Sequence, residues 1–219
     1  MSRKRLSAAD RKVEILSAAR RAYARHGLSA SSMQIAAEAK VSDALIFRHF
    51  PSKAALHRAV LRNLIQEQNA AYASMGLQGS GAKSVLSMLE AYFTACVMGD
   101  AEHTERVRIL AANLITDGDY ARLAYRRAVR MGRAGLFDAM AQAKSDGDID
   151  GPLMAPENII MFLEHLGTSV TLASSQGGIG AYAGDERHRI LDMVRFCARG
   201  IGITNTSIDR YYAELEAKS

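Results

Sequence analysis

Between positions 31 and 49 the chain sets Ser31, Ser32 and Ser42 ahead of short apolar runs. It follows the last of them with Asp43, Ala44, Leu45, Phe47, Arg48 and His49. A serine at a helix start accepts a hydrogen bond from an orphan backbone N–H, and the neighbouring N–H groups make a natural phosphate site. The serines therefore read either as caps alone or as caps that also face phosphate. Arg48 and His49 close the segment where a phosphate backbone would pass, with inward packing as the alternative for His49. Asp43 is repelled by phosphates unless a donor such as cytosine N4 meets it, and Leu45 suits a thymine methyl. This is chemistry for gripping a polyanion rather than for breaking bonds. No Gly-rich phosphate loop, zinc-type Cys/His spacing or nucleophile motif is present, and His26, His49, His57, His103, His165 and His188 are scattered. Asp146, Asp148 and Asp150 alternate with Gly147 and Gly151 but lack the closing glutamate of a calcium loop, so they read as a solvated turn.

The elements that must position these groups are helices. Ser7, with Asp10 three residues on, caps a first helix in which Val13, Leu16, Ala19 and Tyr23 recur at helical spacing and which His26-Gly27 ends. Arg11, Lys12, Arg20, Arg21 and Arg25 fall largely off that stripe. Ser31 or Ser32 starts a second helix to about Ala39, and Ser42 a third to about Phe47. Only Lys40 and Val41 lie between them. Two short helices at a tight turn, behind a longer supporting helix, predict a helix-turn-helix. Pro51-Ser52 opens a fourth helix with Leu56, Val60 and Leu64 on its inner face, and Gly76, Gly79, Ser80 and Gly81 follow it. Further helices are expected over about 82–99, 102–116, 119–145, 156–176 and 185–201, with room for another in the tail 205–218.

Charge divides the chain in the same way. Residues 1–62 hold 13 Lys/Arg against 4 Asp/Glu, and residues 63–219 hold 15 against 19. A basic head on an acidic body suits a partner such as nucleic acid, the alternative being a merely solvated basic surface. The basic start Arg3-Lys4-Arg5 either enters a minor groove or stays free. No secretory signal or bilayer-length apolar run is visible, so a cytoplasmic protein without a membrane partner is expected. Cys96 and Cys197 are too few for a disulfide framework and read as reduced thiols.

The stretch Ile35-Ala36-Ala37-Glu38-Ala39-Lys40-Val41-Ser42-Asp43-Ala44-Leu45-Ile46-Phe47-Arg48-His49-Phe50, completed by Pro51, Ser52, Lys53 and Leu56, closely resembles the DNA-binding segment of TetR-family regulators. The resemblance covers about residues 7–65. It implies an all-α chain: a helix-turn-helix DNA-binding domain over 1–65 with a basic arm, then a helical ligand-binding and dimerisation domain over 66–219. It also implies that Lys53 meets phosphate. Four positions and one loop depart from the family pattern. Lys40 stands where Gly is common in the turn, at a cost of roughly 1 kcal/mol if the backbone is left-handed there. Phe47 replaces a Tyr and loses a hydroxyl. Asp43 and Leu45 replace commoner basic and hydroxyl residues on the reading face. The loop from Gly27 to Ser31 is one residue short.

The same resemblance implies a repressor that binds a palindromic double-stranded operator as a homodimer and leaves it when a small-molecule inducer binds. The helices over about 156–176 and 185–201 are then the dimer elements, with Gly167, Ser169 and Ser174 permitting close approach. Met88, Tyr92, Cys96, Asn113, Phe137, Phe162 and His165 are the candidate pocket residues, with ordinary core as the alternative for each. No cofactor or metal is expected. Two other readings stay open: a nonspecific DNA-binding protein, and an enzyme with its site in the C-terminal helices.

Overall fold

Capping serines and threonines, left-handed stops and helical apolar stripes cut the described residues into ten helices. In the computed structural model, which describes residues 7–74, 77, 79–116, 118–175 and 182–217, these are α1 (Ala8–His26), α2 (Ser32–Ala39), α3 (Asp43–His49), α4 (Lys53–Ser74), α5 (Gly81–Met98), α6 (Ala101–Leu114), α7 (Asp119–Ser145), α8 (Pro156–Ser175), α9 (Glu186–Ile201) and α10 (Asn205–Glu216). No strand forms among the described residues, and the all-α architecture follows. The basic arm Arg3 to Arg5 lies outside the described residues, as do Gly76, Asp117 and Gln176-Gly177-Gly178. None of the described helices is long and apolar enough to cross a membrane.

The chain divides into two compact units. One holds residues 1–69 together with 101–122, the other residues 70–100 together with 123–219. The first unit is thus discontinuous, whereas the sequence suggests a single cut after residue 65. The reason is visible in α1, which packs against both α2 and α6. Its buried stripe is Ile15, Ala18, Ala19, Ala22 and Tyr23, while Val13 is 63% exposed and falls outside it. The alanines let the neighbouring helices come close.

Arg20, expected on the solvated side of α1, is instead buried to 6% exposure. Its guanidinium reaches Glu67 of α4 at 2.5 Å, Asn63 at 3.4 Å, Glu105 of α6 at 3.8 Å and the Glu102 carbonyl at 3.3 Å. Arg106 approaches the same Glu67 at 3.7 Å. One planar, multi-donor cation therefore pins three helices that are distant in sequence. Burial pushes the Glu105 carboxyl up, and Arg20 opposes that shift.

The second unit is built around α5, which packs against α8, α9 and α10. Leu86, Leu89, Phe93, Leu136, Met140, Val194 and Ile208 are buried in its core. Asp146 to Gly151 is more than a solvated turn. Asp150 N–H donates to the Gly202 carbonyl and Thr204 N–H to the Asp148 carbonyl, while Asp148 accepts from Ser207 Oγ at 2.6 Å. The arginine row of α7 stays outward: Arg122, Arg126, Arg130 and Arg133 are exposed. Both cysteines are free, Cys96 buried and Cys197 half-buried.

Removing the buried Arg20 cation leaves the half-buried carboxylates of Glu67 and Glu105 uncompensated across α4 and α6. Arg20→Ala is expected to destabilise the protein by about 3–5 kcal/mol, measured as a lower urea midpoint; a loss under about 1 kcal/mol would show that solvent already screens this cluster.

Candidate nucleic-acid interface and ligand cavity

The chain leaves α2 through a left-handed residue. Lys40 has φ 54° and ψ 43°, the one non-glycine with positive φ among the described residues. Its N–H meets the Ala37 and Ala36 carbonyls, and Val41 N–H donates to Ala36 O at 3.0 Å. These bonds satisfy the last carbonyls of α2 and turn the chain sharply. Ser42 then caps α3, its Oγ accepting from Leu45 N–H at 3.3 Å. At the other end of α2, Ser31 rather than Ser32 is the cap. Ser31 Oγ accepts from Gln34 N–H, and Gln34 Oε1 accepts from Ser31 N–H at 2.7 Å. This reciprocal box was legible as Ser-x-x-Gln.

On α3, Ala44, Phe47 and Arg48 are exposed, Asp43, Leu45 and His49 are half-buried, and Ile46 is buried with Phe50. The helix runs two residues past Phe47, to His49. Ser31 and Ser42 are exposed and Ser32 half-buried. One carboxylate oxygen of Asp43 is buried and has no hydrogen-bond donor among the described residues. Lys53, exposed at the start of α4, donates to the Ser29 carbonyl at 3.0 Å, so it ties the loop before α2 to α4. A further clamp was not foreseen from sequence: Glu38 of α2 accepts from Arg21 and Arg25 of α1, each at 2.7 Å. The Arg21 hydrogen bond, opposed by some burial and helped by the charge of Arg25, holds the Glu38 carboxyl below its ordinary range.

A separate site lies in the second unit. Tyr72, Leu77, Met88, Tyr92, Met131, Gly132, Gly135, Leu136, Ile160, Leu163 and Glu164 line a cavity of about 190 Å³. Two glycines on α7 leave one wall bare: a Cβ at Gly132 would come within 3.1 Å of Ile160 Cδ1, and one at Gly135 within 3.2 Å of Leu77 Cδ1. The polar groups are few. Tyr72 donates its hydroxyl to the Glu164 carboxylate. Tyr92 donates to the Leu163 carbonyl at 2.8 Å. Burial, and then the charge of Glu164, push both hydroxyls well above their ordinary range, so they remain donors at neutral pH.

Of the seven residues read as pocket candidates, Met88 and Tyr92 line this cavity. Cys96 is buried beside it, its sulfur 2.9 Å from where a Cβ on Gly167 would stand. Asn113 belongs to the other unit, where its side chain accepts from Ala121 N–H at 2.8 Å across the turn into α7. His165 is exposed and packs edge-on against Tyr125, and Phe137 is exposed on α7. Glu164, Tyr72 and the two α7 glycines were missed, because nothing local distinguishes an inward glutamate from a solvated one.

Phe162, 61% exposed, lies instead in an open apolar groove between α8 and α9 with Phe196, which is 73% exposed, and with Met154, Leu166, Cys197, Gly200 and Ile201. A Cβ on Gly200 would meet nothing within 4 Å. Gly167 does not belong to that face. It is buried, and its Cβ would fall 2.1 Å from the Tyr92 hydroxyl oxygen. The close approach it permits is to α5 of its own chain.

Residues 15–60 match the pattern of the bacterial regulatory proteins of the tetR family. No curated protein matches the chain. Among solved structures, a TetR-like transcriptional regulator from Rhodococcus sp. RHA1 is similar over 90% of this chain and 98% of its own, with 19% identity and a TM-score of 0.64. A TetR-family regulator from Agrobacterium tumefaciens covers 90% of this chain and all of its own, at 19% identity and TM-score 0.63. A structure described as a gamma-butyrolactone receptor, ArpA-like, covers 98% of this chain and all of its own, at 19% identity and TM-score 0.62. At such identities the likeness is one of fold.

Two tests follow from this geometry. Protonating Glu38 breaks its bonds to Arg21 and Arg25, so the clamp contributes fully above the ordinary glutamate value of 4.5 and is lost as pH falls through the lowered folded value. Glu38→Gln is therefore expected to melt below the wild type at pH 7 and together with it at acid pH; a gap that persists unchanged into acid excludes the ionic clamp. At Gly167 a methyl forces Tyr92 to move and lose its bond to Leu163. Gly167→Ala should cost about 1–3 kcal/mol, read by thermal melting, and an unchanged midpoint would mean that the ring shifts freely.

Proposed function

Because the chain belongs to the tetR family of bacterial regulatory proteins, we propose that this DNA-binding regulator is a repressor that holds a palindromic operator as a homodimer and leaves it when a small molecule enters the cavity of the second unit. The observation that carries this reading is the capped α2–α3 pair, whose turn is locked by backbone bonds while Ala44, Phe47 and Arg48 stand exposed. A helix of this kind enters a major groove with its N-terminal residues on base edges. Asp43, Ala44 and Leu45 are then the base-reading positions. The capped starts at Ser31, Ser32 and Ser42, together with Phe47, Arg48, His49 and Lys53, lie along the backbone path. Lys53 spends one donor on the Ser29 carbonyl, and an ammonium has two more for phosphate. Asp43, half-buried at the start of α3, has an acceptor-only side chain that suits a cytosine amino group.

One such head reads few base pairs, so a two-fold dimer is needed for useful specificity. The groove of Phe162 and Phe196 on α8 and α9 is the surface that favours a second copy. Two large rings lie open there, and Gly200 allows backbones to approach. Residues 1–65 act as the DNA-binding domain and 66–219 as the ligand-binding and dimerisation domain in this account. α4 carries residues of both sites, with Lys53 at its start and Tyr72 near its end lining the cavity. The effector site is built on Met88, Tyr92 and Glu164, with Cys96 beside it. The gamma-butyrolactone receptor among the similar structures supports a small-molecule effector. A regulator of this kind works in the cytoplasm and needs no enzymatic step.

Footprinting on DNA flanking the chain's own gene should reveal a short protected palindrome, with log affinity falling by about 0.9 per phosphate contacted against log salt. Equal affinity for unrelated duplexes would favour a nonspecific coat instead. Arg48→Ala is expected to flatten the salt slope by about one. Asp43→Ala is expected to alter base preference at a single operator position. Phe196→Glu should sediment as a monomer and lose most operator affinity; a dimer that survives this substitution would place the interface elsewhere.

A further inference from the structure

The walls of the effector cavity carry a charge of one sign. Glu164 is acidic, and among the described lining residues there is no Lys, Arg or His; the rest of these are apolar side chains, two glycines and two tyrosines. The tyrosine hydroxyls are committed as donors, Tyr72 to Glu164 and Tyr92 to the Leu163 carbonyl. What the cavity presents to a guest is therefore acceptor character and negative potential. Glu164 thus sets a carboxylate, an acceptor-only group, in an otherwise apolar wall. The charge is felt widely: the hydroxyls of Tyr72, Tyr92 and Tyr125 are all pushed up, by burial first and then by Glu164. Low-dielectric surroundings strengthen that field and make an incoming anion costly. At about 190 Å³ the space is close to the 150 Å³ or so of an engineered cavity that takes benzene, which sets the scale of the guest at one ring or a short chain.

We propose that the cavity binds a small lipophilic amine, its ring or chain against Met88, Met131, Leu136 and Ile160 and its protonated nitrogen on the Glu164 carboxylate. The inference rests on the reading of this cavity as the effector site and specifies the chemistry of its ligand. The bare wall at Gly132 and Gly135 gives the apolar body its space. Anions of the same shape are excluded by the same carboxylate.

Three probes of one shape test this on the full-length protein by calorimetry: 2-phenylethylamine, 2-phenylethanol and 3-phenylpropionate. The amine is expected to bind about tenfold or more tighter than the alcohol, and the acid not at all. Glu164→Gln keeps the size of the side chain and an acceptor for Tyr72, and it should erase the amine's advantage over the alcohol. Gly135→Leu, which fills the wall, should abolish binding of both. Binding of the acid as tight as the amine, an amine preference that survives Glu164→Gln, or no amine binding by the wild type overturns the proposal. The same titrations with operator DNA present separate this from the regulatory reading. An amine that binds through Glu164 without releasing DNA leaves the ligand chemistry standing and sinks the effector role. Release of DNA by a neutral or anionic compound, with no amine bound, does the reverse.

Discussion

A left-handed backbone at Lys40 sets the direction in which α3 leaves α2, and the reading surface depends on that direction. Three backbone bonds at the end of α2 hold the bend, and Ser42 restarts the helix two residues later. A lysine pays a steric penalty in this conformation that a glycine would not. Because the bend is nonetheless formed, packing around it must exceed that penalty. Ile35, Ala36, Ala39, Ile46 and Phe50 are all buried on its two sides. Glu38 adds an electrostatic tie from α2 to α1, and Lys53 a tie from α4 to the loop before α2. Ala44, Phe47 and Arg48 stand exposed on α3. They are presented by interactions made behind them.

The two units use polar groups in opposite ways. In the first, Arg20 gathers carboxylates from α4 and α6, so buried charge is met by charge and the helices are fixed relative to one another. In the second, the core is apolar and charge enters the cavity through Glu164, met there by a hydroxyl donor. A buried salt-bridge cluster is stiff, since losing one member strands the others. A cavity lined by aliphatic side chains and glycines lacks such bonds on most of its wall and can repack around a guest. That contrast suits the proposed division between a unit that holds one shape and a unit that responds to a ligand.

Several residues change their meaning once their surroundings are known. Gly167 and Phe162 share α8, five residues apart, yet the glycine serves its own chain's α5 and the phenylalanine stands open on the opposite account. Asn113 looks like a polar handle for a ligand, but its carbonyl oxygen closes the turn into α7. Val13 is apolar and exposed, while Arg20 on the same helix is charged and buried. Helical spacing put Val13 on the packed face of α1 and Arg20 off it, and the fold reverses both. The element lying against that face was not encoded nearby.

The order and type of the helices, the serine caps, the tight turn at Lys40-Val41 and the basic character of the first sixty residues were all written in the sequence. These are local properties: caps, turns and periodicity act over four residues or fewer, and charge simply adds. The cavity, its acidic group and the Arg20 cluster were decided only in the folded molecule. Tyr72 and Glu164 are 92 positions apart, and Arg20 and Glu105 sit on helices separated by four others. A side chain's dielectric surroundings and partners depend on chain segments brought together by folding, so no reading of its neighbours along the chain could have supplied them.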